Sequence, residues 1–405
     1  MKQRPIYHAV WDELIKNKAM VFLAGPRQSG KTTFAQGLTR QFANSLYFNW
    51  DIPSNKKQLI ENPSFFEHIH RKDNSKPLII LDEIHKYRSW KNYLKGTYDQ
   101  FHKDYLFLVL GSGRLDVFQK GGDSLAGRYF LFHLWPLTLA ELANQKNHFD
   151  SFKQNPISIP DTHSATKRAW ENLSQWSGFP EPFFAGKATF YQRWAQTYSQ
   201  QLIREDIRNM THIKYVDTVE TLFSLLSSKV GNPVSITSLS EDLQTSFTSI
   251  RDWLEIFERF YLIFRLSPWT KKISRAITKE KKLYLFDYAQ ILNPAIKFEN
   301  MVALELFRAI NTWNDLGLGK FDLFYIRNKE KEEVDFLITD KNIPKILIEA
   351  KSNDSDANRT LLKFQFQLDI PAIQLVNKDN VCKLITNNSQ KLLIITAHRW
   401  LAGLP

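Results

Sequence analysis

Apolar positions along the chain follow two patterns, and together they predict an α/β protein. In the first third, short apolar runs bounded by polar or turn-forming residues indicate buried strands. These runs are MVFLA at 20–24, LIIL at 78–81 and YLFLVL at 105–110. After the first run, a helix is predicted from Thr33 onward, because Phe34, Leu38 and Phe42 share the spacing of one helix face. Strand, loop and helix therefore follow one another directly near the start of the chain.

The middle of the chain changes character twice. A polar, irregular stretch at about 144–166 contains the helix breakers Pro156 and Pro160 and is typical of a linker. Helical spacing returns from Lys167 to about Lys229, where we predict a helical lid packed on the first domain. One apolar face of this lid is formed by Trp194, Tyr198 and Leu202.

The next segment has the order helix, turn, helix, strand, basic loop and strand, which is typical of a winged helix. Ser240 and Ser246 are candidate N-caps of the two helices. The wing at 271–282 carries six basic residues and one acidic residue. Such a wing can hold DNA phosphates. Winged helices also serve in protein contact or oligomer assembly, so both roles stay open.

The last part of the chain predicts a helix, a strand hairpin and a further helix. Side chains alternate along a strand, so Asp335 lies opposite the apolar face of its strand, and Glu349 and Lys351 share one face of the next. Glu299 lies near the start of the upstream helix. These four polar side chains can therefore meet on one side of the hairpin.

Composition indicates the cellular compartment and the kind of partner to expect. The 405-residue chain has one cysteine, Cys382, which excludes an intramolecular disulfide and fits a reducing compartment. There is no N-terminal signal core, and no apolar run approaches the roughly 18–20 residues of a membrane helix, so we expect a cytoplasmic protein without a membrane partner. The formal charge of +12 and pI near 9.4 favour an anionic partner such as DNA, although a basic surface that only aids solubility has the same composition.

The loop after the first strand matches the phosphate-binding pattern G-x-x-x-x-G-K-[ST]. In such a loop, backbone N–H groups surround the phosphates, Lys31 reaches the β- and γ-phosphates, and the Thr32 hydroxyl ligates magnesium. The residues expected to contact the nucleotide are Gly25, Pro26, Arg27, Gln28, Ser29, Gly30, Lys31, Thr32 and Thr33. The sequence therefore predicts ATP and magnesium as cofactors.

An acidic pair at the end of the second apolar run completes this predicted site. Asp82 would hold magnesium, and Glu83 would act as general base toward the attacking water. If Glu83 were only a surface residue, the domain would bind the nucleotide and hydrolyse it poorly.

Further along, one serine and several arginines are candidates for sensing the nucleotide. Ser112 follows the third strand, where it could contact the γ-phosphate. Arg128 or Arg114 could stabilise phosphoryl charge in the same subunit or a neighbouring one. Arg204 and Arg208 could act from the lid. For each arginine, a structural ion pair or a solvated position is the alternative.

The pattern formed by Asp335, Glu349 and Lys351 is that of the restriction-endonuclease and Holliday-junction-resolvase class. Carboxylates such as Glu299, Asp335 and Glu349 bind magnesium, and the lysine orients or activates water for phosphodiester cleavage. The D…E-x-K pattern is short, and surface strands imitate it. A plain ion pair and a DNA-binding domain that does not cut therefore stay open.

Five stretches resemble, in order and spacing, a large group of bacterial and archaeal AAA+ ATPases. They are GPRQSGKTT, LDEIHKYRSWKNYLKGTYD, LGSGRLDVF, SLAGRYFLFHLWPLTLAEL and GFPEPF. The group carries a C-terminal domain of unknown function that looks like a restriction-endonuclease fold. The resemblance implies nucleotide-site roles for Gly25, Gly30, Lys31, Thr32, Asp82, Glu83, Ser112 and Arg128. The chain departs from the group at GSGR, where a run of small hydroxyl residues is more usual, and this bears on Ser112.

We therefore predict an α/β protein of four parts. They are a P-loop AAA+ ATPase core at 1–145, a linker and helical lid at 146–230, a winged helix at 231–290 and a restriction-endonuclease-like α/β domain at 291–405. The predicted function is ATP hydrolysis coupled to DNA, with a C-terminal domain capable of magnesium-dependent cleavage, in a homo-oligomer. The alternatives are a nucleotide-gated switch that recruits a protein partner and a DNA-binding regulator with slow hydrolysis.

Overall fold

A computed structural model describes residues 4–111, 125–144, 152, 155–159, 164–207, 215–270, 279–353, 355–387 and 390–405. The chain divides into two compact units, Met1–Pro136 and Leu137–Pro405. Several predicted features lie outside the described residues. They are Ser112, Arg114, Arg208 and residues 271–278 of the wing.

The first unit is built around a parallel sheet. Its described helices are α1 (Pro5–Ile15), α2 (Lys31–Thr39), α3 (Pro53–Glu61) and α4 (Trp90–Phe101), with 3-10 turns at Phe65–His68 and Ile84–Lys86. Its strands are β1 (Met20–Ala24), β2 (Ser45–Asn49), β3 (Leu78–Asp82), β4 (Leu106–Leu110) and β5 (Phe130–His133). The sheet order is β2-β3-β4-β1-β5, and every neighbouring pair is parallel.

This sheet explains the short apolar runs. Every residue of β1 and β3 is buried, as expected for parallel strands covered on both faces. From β1 the chain crosses to the sheet edge formed by β2 and comes back through β3 and β4. Strand β5 then pairs with the other side of β1. The winding direction therefore reverses at β1. Ligands of such sheets bind beyond the carboxyl ends of the strands at this point. The predicted α/β core with a parallel sheet is confirmed.

The second unit contains the rest of the described elements. Its helices are α5 (Leu139–Leu142), α6 (Ser164–Trp176), α7 (Pro180–Ala185), α8 (Ala188–Gln201), α9 (Val216–Leu226), α10 (Ile236–Asp242), α11 (Phe247–Arg259), α12 (Pro294–Asp315), α13 (Arg359–Leu368) and α14 (Ala397–Leu401), with a π-helical turn at Leu202–Ile207 and a 3-10 turn at Ser227–Lys229. Its strands are β6 (Pro233–Val234), β7 (Ile263–Pro268), β8 (Lys281–Leu285), β9 (Phe321–Arg327), β10 (Glu333–Asp340), β11 (Ile343–Lys351), β12 (Ala372–Val376), β13 (Cys382–Asn387) and β14 (Gln390–Thr396).

One sheet of nine described strands runs through this unit, in the order β13-β14-β12-β11-β10-β9-β7-β8-β6. The segments predicted as winged helix and C-terminal domain share it, because β7 pairs in parallel with β9 at Ser267 and Phe324. The two predicted strands before and after the turn at 340–344 are present as the antiparallel pair β10 and β11. The division into four parts stays a prediction.

Helices α10 and α11 follow each other as the sequence pattern predicts, and β7 and β8 pair in antiparallel fashion after them. Ser246 caps α11, its side chain accepting a hydrogen bond from the Ser249 N–H. Ser240 is wrong as an N-cap, because it lies inside α10. Ser235 takes that role instead and accepts from the Ser238 N–H.

No helix in the described part of the chain combines the length and the apolar character that crossing a bilayer requires.

Candidate functional site

The predicted phosphate-binding loop runs from the end of β1 to the start of α2. Gly25 has φ +134° and Gly30 has φ +98°, and Gln28 also lies in the left-handed region at φ +60°. A Cβ atom on Gly25 would lie 2.3 Å from the Leu134 carbonyl oxygen. Gly25 therefore meets two demands at once, a positive φ and a close approach of backbone, that only glycine satisfies.

We expect Gly25→Ala to distort the loop and to reduce both stability and nucleotide affinity. The added Cβ must displace backbone rather than a flexible side-chain end. The matched control is Gly37→Ala, which lies inside α2 with nothing within 4 Å of its added Cβ and should be neutral or slightly stabilising. Thermal unfolding and ATP titration of both variants provide the measurement. Wild-type melting and affinity for Gly25→Ala would contradict the loop geometry.

Lys31 begins α2 and is held over the loop. It is 9% exposed, and its Nζ donates to the carbonyl oxygens of Gly25 at 3.0 Å and Pro26 at 2.6 Å. These carbonyl groups stabilise an ammonium at the position where the β- and γ-phosphates of a nucleotide would bind. The arrangement places a preorganised positive charge beside the N-terminus of α2.

The carboxylate of Asp82, at the end of β3, joins two neighbouring elements. Its Oδ2 accepts from Thr32 Oγ1 at 2.9 Å and from the Tyr47 hydroxyl at 2.6 Å. Burial raises the pKa of Asp82 above its usual value, and the two hydrogen bonds partly offset this. Thr32 and Asp82, predicted to hold magnesium, are thus in contact across the 50 positions that separate them.

Glu83, the predicted general base, has an uncommon backbone conformation. Its φ of +56° lies in the left-handed region. Its Oε2 lies 3.0 Å from Lys86 Nζ and 3.6 Å from His85 Nε2, and Lys86 also contacts Asp51 at 2.6 Å. Burial alone would lower the pKa of Lys86, but Asp51 and Glu83 raise it overall. A cation therefore accompanies Glu83 in this structure.

Two residues of this site were missed by sequence reasoning. Tyr47 in the middle of β2 contacts Asp82, and a tyrosine within a strand carries no distinctive signal. Arg4 is buried, and its guanidinium donates to the carbonyl oxygens of Ser29 at 3.0 Å and Trp135 at 2.8 Å. It thereby ties the phosphate loop to the segment after β5. Nothing in the N-terminal sequence pattern indicated this contact.

The arginine candidates that the structure describes are engaged in ion pairs. Arg128 contacts Asp99 of α4 through two hydrogen bonds, of 2.6 Å from Nε and 3.0 Å from Nη2. Arg204 pairs with Glu220 at 2.6 Å. Exposed pairs of this kind stabilise a fold only weakly, so a charged phosphate could replace them at little cost. The role of Arg128 toward phosphate stays a prediction.

A second polar cluster in the C-terminal part brings together all four residues of the predicted D…E-x-K site. The Asp335 N–H donates to Glu349 Oε2 at 3.2 Å, and Asp335 Oδ2 accepts from the Ala350 N–H at 3.0 Å. Lys351 Nζ lies 2.7 Å from Glu349 Oε1. Glu299 of α12 joins them through a shared contact with Lys282.

Lys282, Glu333 and Tyr284 are members of this cluster that the sequence pattern did not indicate. Tyr284 donates its hydroxyl to Glu299 Oε1 at 2.8 Å. Burial, reinforced by the neighbouring Asp335, raises the pKa of Glu299 to about 7 and that of Glu349 to about 8. Both shifts have the same cause, which is the packing of several acidic groups where little solvent reaches them.

Ammonium groups of the chain lie against the carboxylates of this cluster, and the assignment of Glu299, Asp335 and Glu349 to a metal stays a prediction. Among the residues that the structure describes, no group of three or more histidine, cysteine, aspartate and glutamate side chains is arranged to hold a metal ion. The Lys282 ammonium lies among Glu299, Glu333 and Asp335 instead. Hard cations need several free oxygen ligands at about 2.0–2.6 Å.

The further helix predicted after the hairpin is present as α13, and two of its polar side chains have partners within the chain. Lys363 forms an ion pair with Glu332. Gln365 is buried and donates to the Lys391 carbonyl oxygen at 2.9 Å.

Three segments of the chain match three known family models. Residues 17–143 match the family model of an AAA domain. Residues 167–299 match a domain of unknown function, DUF8612, and residues 296–396 match another, DUF4143. The AAA-type P-loop domain predicted for the first part is confirmed. The matches to domains of unknown function leave the winged helix and the restriction-endonuclease-like fold as predictions.

Two curated relatives are themselves uncharacterized. A protein of Mycobacterium tuberculosis is 23% identical over 327 residues, covering 79% of this chain and 67% of that protein. A protein of Methanocaldococcus jannaschii is 22% identical over 302 residues, covering 67% of this chain and 62% of that protein. The chain thus spans about two thirds of the length of these relatives.

Similarity to solved structures is distant. The Walker-type ATPase of Pyrococcus abyssi aligns with a TM-score of 0.44 and 13% identity, over 72% of this chain and 96% of that one. The Aeropyrum pernix ORC1 protein, solved in complex with DNA, aligns with a TM-score of 0.34 and 11% identity, over 74% of this chain and 91% of that one. Similarity at this level carries no functional argument for this chain.

Proposed function

We propose that the protein is an ATP-hydrolysing AAA-type ATPase whose turnover is coupled to DNA. The observation that carries the ATPase part is the hydrogen bond between Thr32 and Asp82. Beside it, Lys31 is held over a loop whose glycines have positive φ angles. A hydroxyl and a carboxylate from segments 50 positions apart meet there, and P-loop NTPases hold their metal with such a pair.

Five side chains of the site have a chemical task in this proposal. Lys31 moves from the loop carbonyls to the β- and γ-phosphates, and backbone N–H groups at the start of α2 hold the same oxygens. Thr32 and Asp82 would hold magnesium, which neutralises phosphate charge when bound with the nucleotide. Tyr47 keeps the Asp82 carboxylate in position. Glu83 accepts a proton from the attacking water.

Glu83 must be able to reach that water, and its present contacts bear on this. The ion pair with Lys86 lies at 26% and 37% side-chain exposure, so it is partly screened and inexpensive to separate. Asp51 offers Lys86 a second carboxylate at 2.6 Å. Lys86 can therefore stay bound to Asp51 while Glu83 turns toward the nucleotide.

The DNA part of the proposal is supported by charge. The formal net charge is +12. A chain this basic attracts phosphate backbones, with a strong dependence on salt. The convergence of Asp335, Glu349 and Lys351 supports a C-terminal domain of nuclease-like form that contacts DNA.

One observation favours the rival, a nucleotide-gated switch that recruits a protein. Helix α11, in the position of a recognition helix, carries three acidic residues and two arginines. Arg251 pairs with Asp252 at 3.0 Å, and Arg259 pairs with Glu255 at 3.6 Å. A helix of this charge is poorly suited to a phosphate groove.

The deciding experiment is the rate of ATP hydrolysis with and without DNA at low salt. Linear duplex, single-stranded and branched DNA are compared, and a parallel preparation of Lys31→Ala sets the background from contaminating ATPases. We expect turnover above this background and stimulation by at least one DNA form, with stimulation falling as salt rises. Turnover that no DNA form changes would favour the switch. No turnover above background would overturn the ATPase itself.

A further inference from the structure

A buried lysine occupies the centre of the C-terminal cluster. Lys282 Nζ lies 2.7 Å from Glu333 Oε1, 3.2 Å from Glu299 Oε1 and 3.3 Å from Asp335 Oδ1. Its side chain is 2% exposed. Carboxylates from α12 and β10 therefore converge on one cation, and β8 of the same chain supplies it.

We propose that the Lys282 ammonium takes the place of a divalent metal ion in this cluster, which closes the site to Mg²⁺ and Mn²⁺. The C-terminal domain then binds its partner without cleaving a phosphodiester. This inference deepens the proposed role of the domain, but it is independent of ATP turnover.

The charges around the site make the lysine and a metal ion mutually exclusive. The acidic members are Glu299, Glu333, Asp335 and Glu349. Lys282 and Lys351 contact them directly, and Arg327 Nη1 lies 3.7 Å from Glu333 Oε2. A metal ion bound to Glu299 and Asp335 would lie against the ammonium, and repulsion between two cations is strong where solvent is scarce. With Lys282 present, the carboxylates already have a cation.

The backbone and its neighbours hold this lysine in place. Lys282 pairs with Leu266 of β7 on one side and with Pro233 of β6 on the other. Its ammonium also lies 5.8 Å from the centre of the Tyr325 ring. An exposed lysine could swing away to admit a metal ion. Lys282 would have to leave a buried position between paired strands, and an ammonium without its partners is costly to bury.

The test measures metal binding to the full-length, nucleotide-free protein by Mn²⁺ titration, with bound and free ion separated by electron paramagnetic resonance. We expect wild type and Asp335→Asn to give the same isotherm, because any metal at Thr32 and Asp82 is common to both. Lys282→Met should gain one site that binds at least about tenfold more tightly than any site in wild type, since removal of a neighbouring positive charge favours the cation. The gain should disappear in Lys282→Met combined with Asp335→Asn.

The matched control is Lys281→Met, which removes the preceding lysine of the same strand and should leave the isotherm unchanged. A folded Lys282→Met protein without a new site would overturn the proposal. A wild-type Mn²⁺ site that Asp335→Asn abolishes would overturn it too, and so would Mg²⁺-dependent DNA cleavage lost in the same variant. If thermal unfolding shows that Lys282→Met is not folded, the comparison of wild type with Asp335→Asn still decides whether the wild-type cluster binds a metal ion. A failed ATPase assay leaves these outcomes unaffected.

Discussion

Replacing Lys31 with alanine is expected to weaken ATP binding on the order of 100-fold, because two charge-assisted hydrogen bonds to phosphate contribute about 1.5 kcal/mol each. In the structure the Lys31 ammonium is confined to the loop by the carbonyl oxygens of Gly25 and Pro26. These contacts place the Lys31 ammonium over the expected phosphate position. The change to alanine removes that positive charge. Isothermal titration with ATP and magnesium measures the affinity directly.

A matched control separates this effect from a general loss of positive charge. Lys57 lies on α3, is 75% exposed and contacts Glu61 only at 3.7 Å. Lys57→Ala removes the same charge from the same protein and should leave ATP affinity unchanged. Thermal unfolding in the absence of nucleotide confirms that both variants are folded. Wild-type ATP affinity in a folded Lys31→Ala protein would contradict the phosphate-loop interpretation.

The phosphate loop could be predicted from sequence because its geometry is local. Strand, glycine-rich turn and helix are consecutive, so the covalent chain alone brings Lys31 back over Gly25. The contact between Thr32 and Asp82 is not local, but parallel strands end at one edge of a sheet, and the two motifs each follow a buried strand. The phosphate-loop motif and the acidic pair after an apolar run were sufficient to predict that Thr32 and Asp82 share a site.

Arg4 and Lys282 belong to no motif and could not be predicted in this way. Arg4 contacts Trp135 from 131 positions away, and its sequence context is an unremarkable helix start. Lys282 was interpreted as part of a basic wing that can hold DNA phosphates, because a charge count cannot tell an outward-facing lysine from an inward-facing one. Its position depends on the register of β8 and on carboxylates 17 and 53 positions later.

Replacing Glu83 with glutamine is expected to lower the rate of ATP hydrolysis by about 10²–10⁴-fold while leaving ATP binding intact, since a general base contributes that much. Glutamine has nearly the same shape and can still accept a hydrogen bond, but it does not take a proton from water at neutral pH. Glutamine also tolerates the backbone conformation at this position, since Gln28 has φ +60° in the same protein.

The measurement pairs single-turnover hydrolysis with ATP titration, so that chemistry and binding are read separately. Glu61→Gln on α3 is the matched control, because the Glu61 side chain is 64% exposed and lies 3.7 Å from Lys57. It should hydrolyse ATP at the wild-type rate. Loss of the ion pair between Glu83 and Lys86 should cost little stability, because the pair is partly exposed. If Glu83→Gln hydrolyses ATP at the wild-type rate, another group activates the water. If the variant fails to bind ATP, Glu83 acts in binding instead.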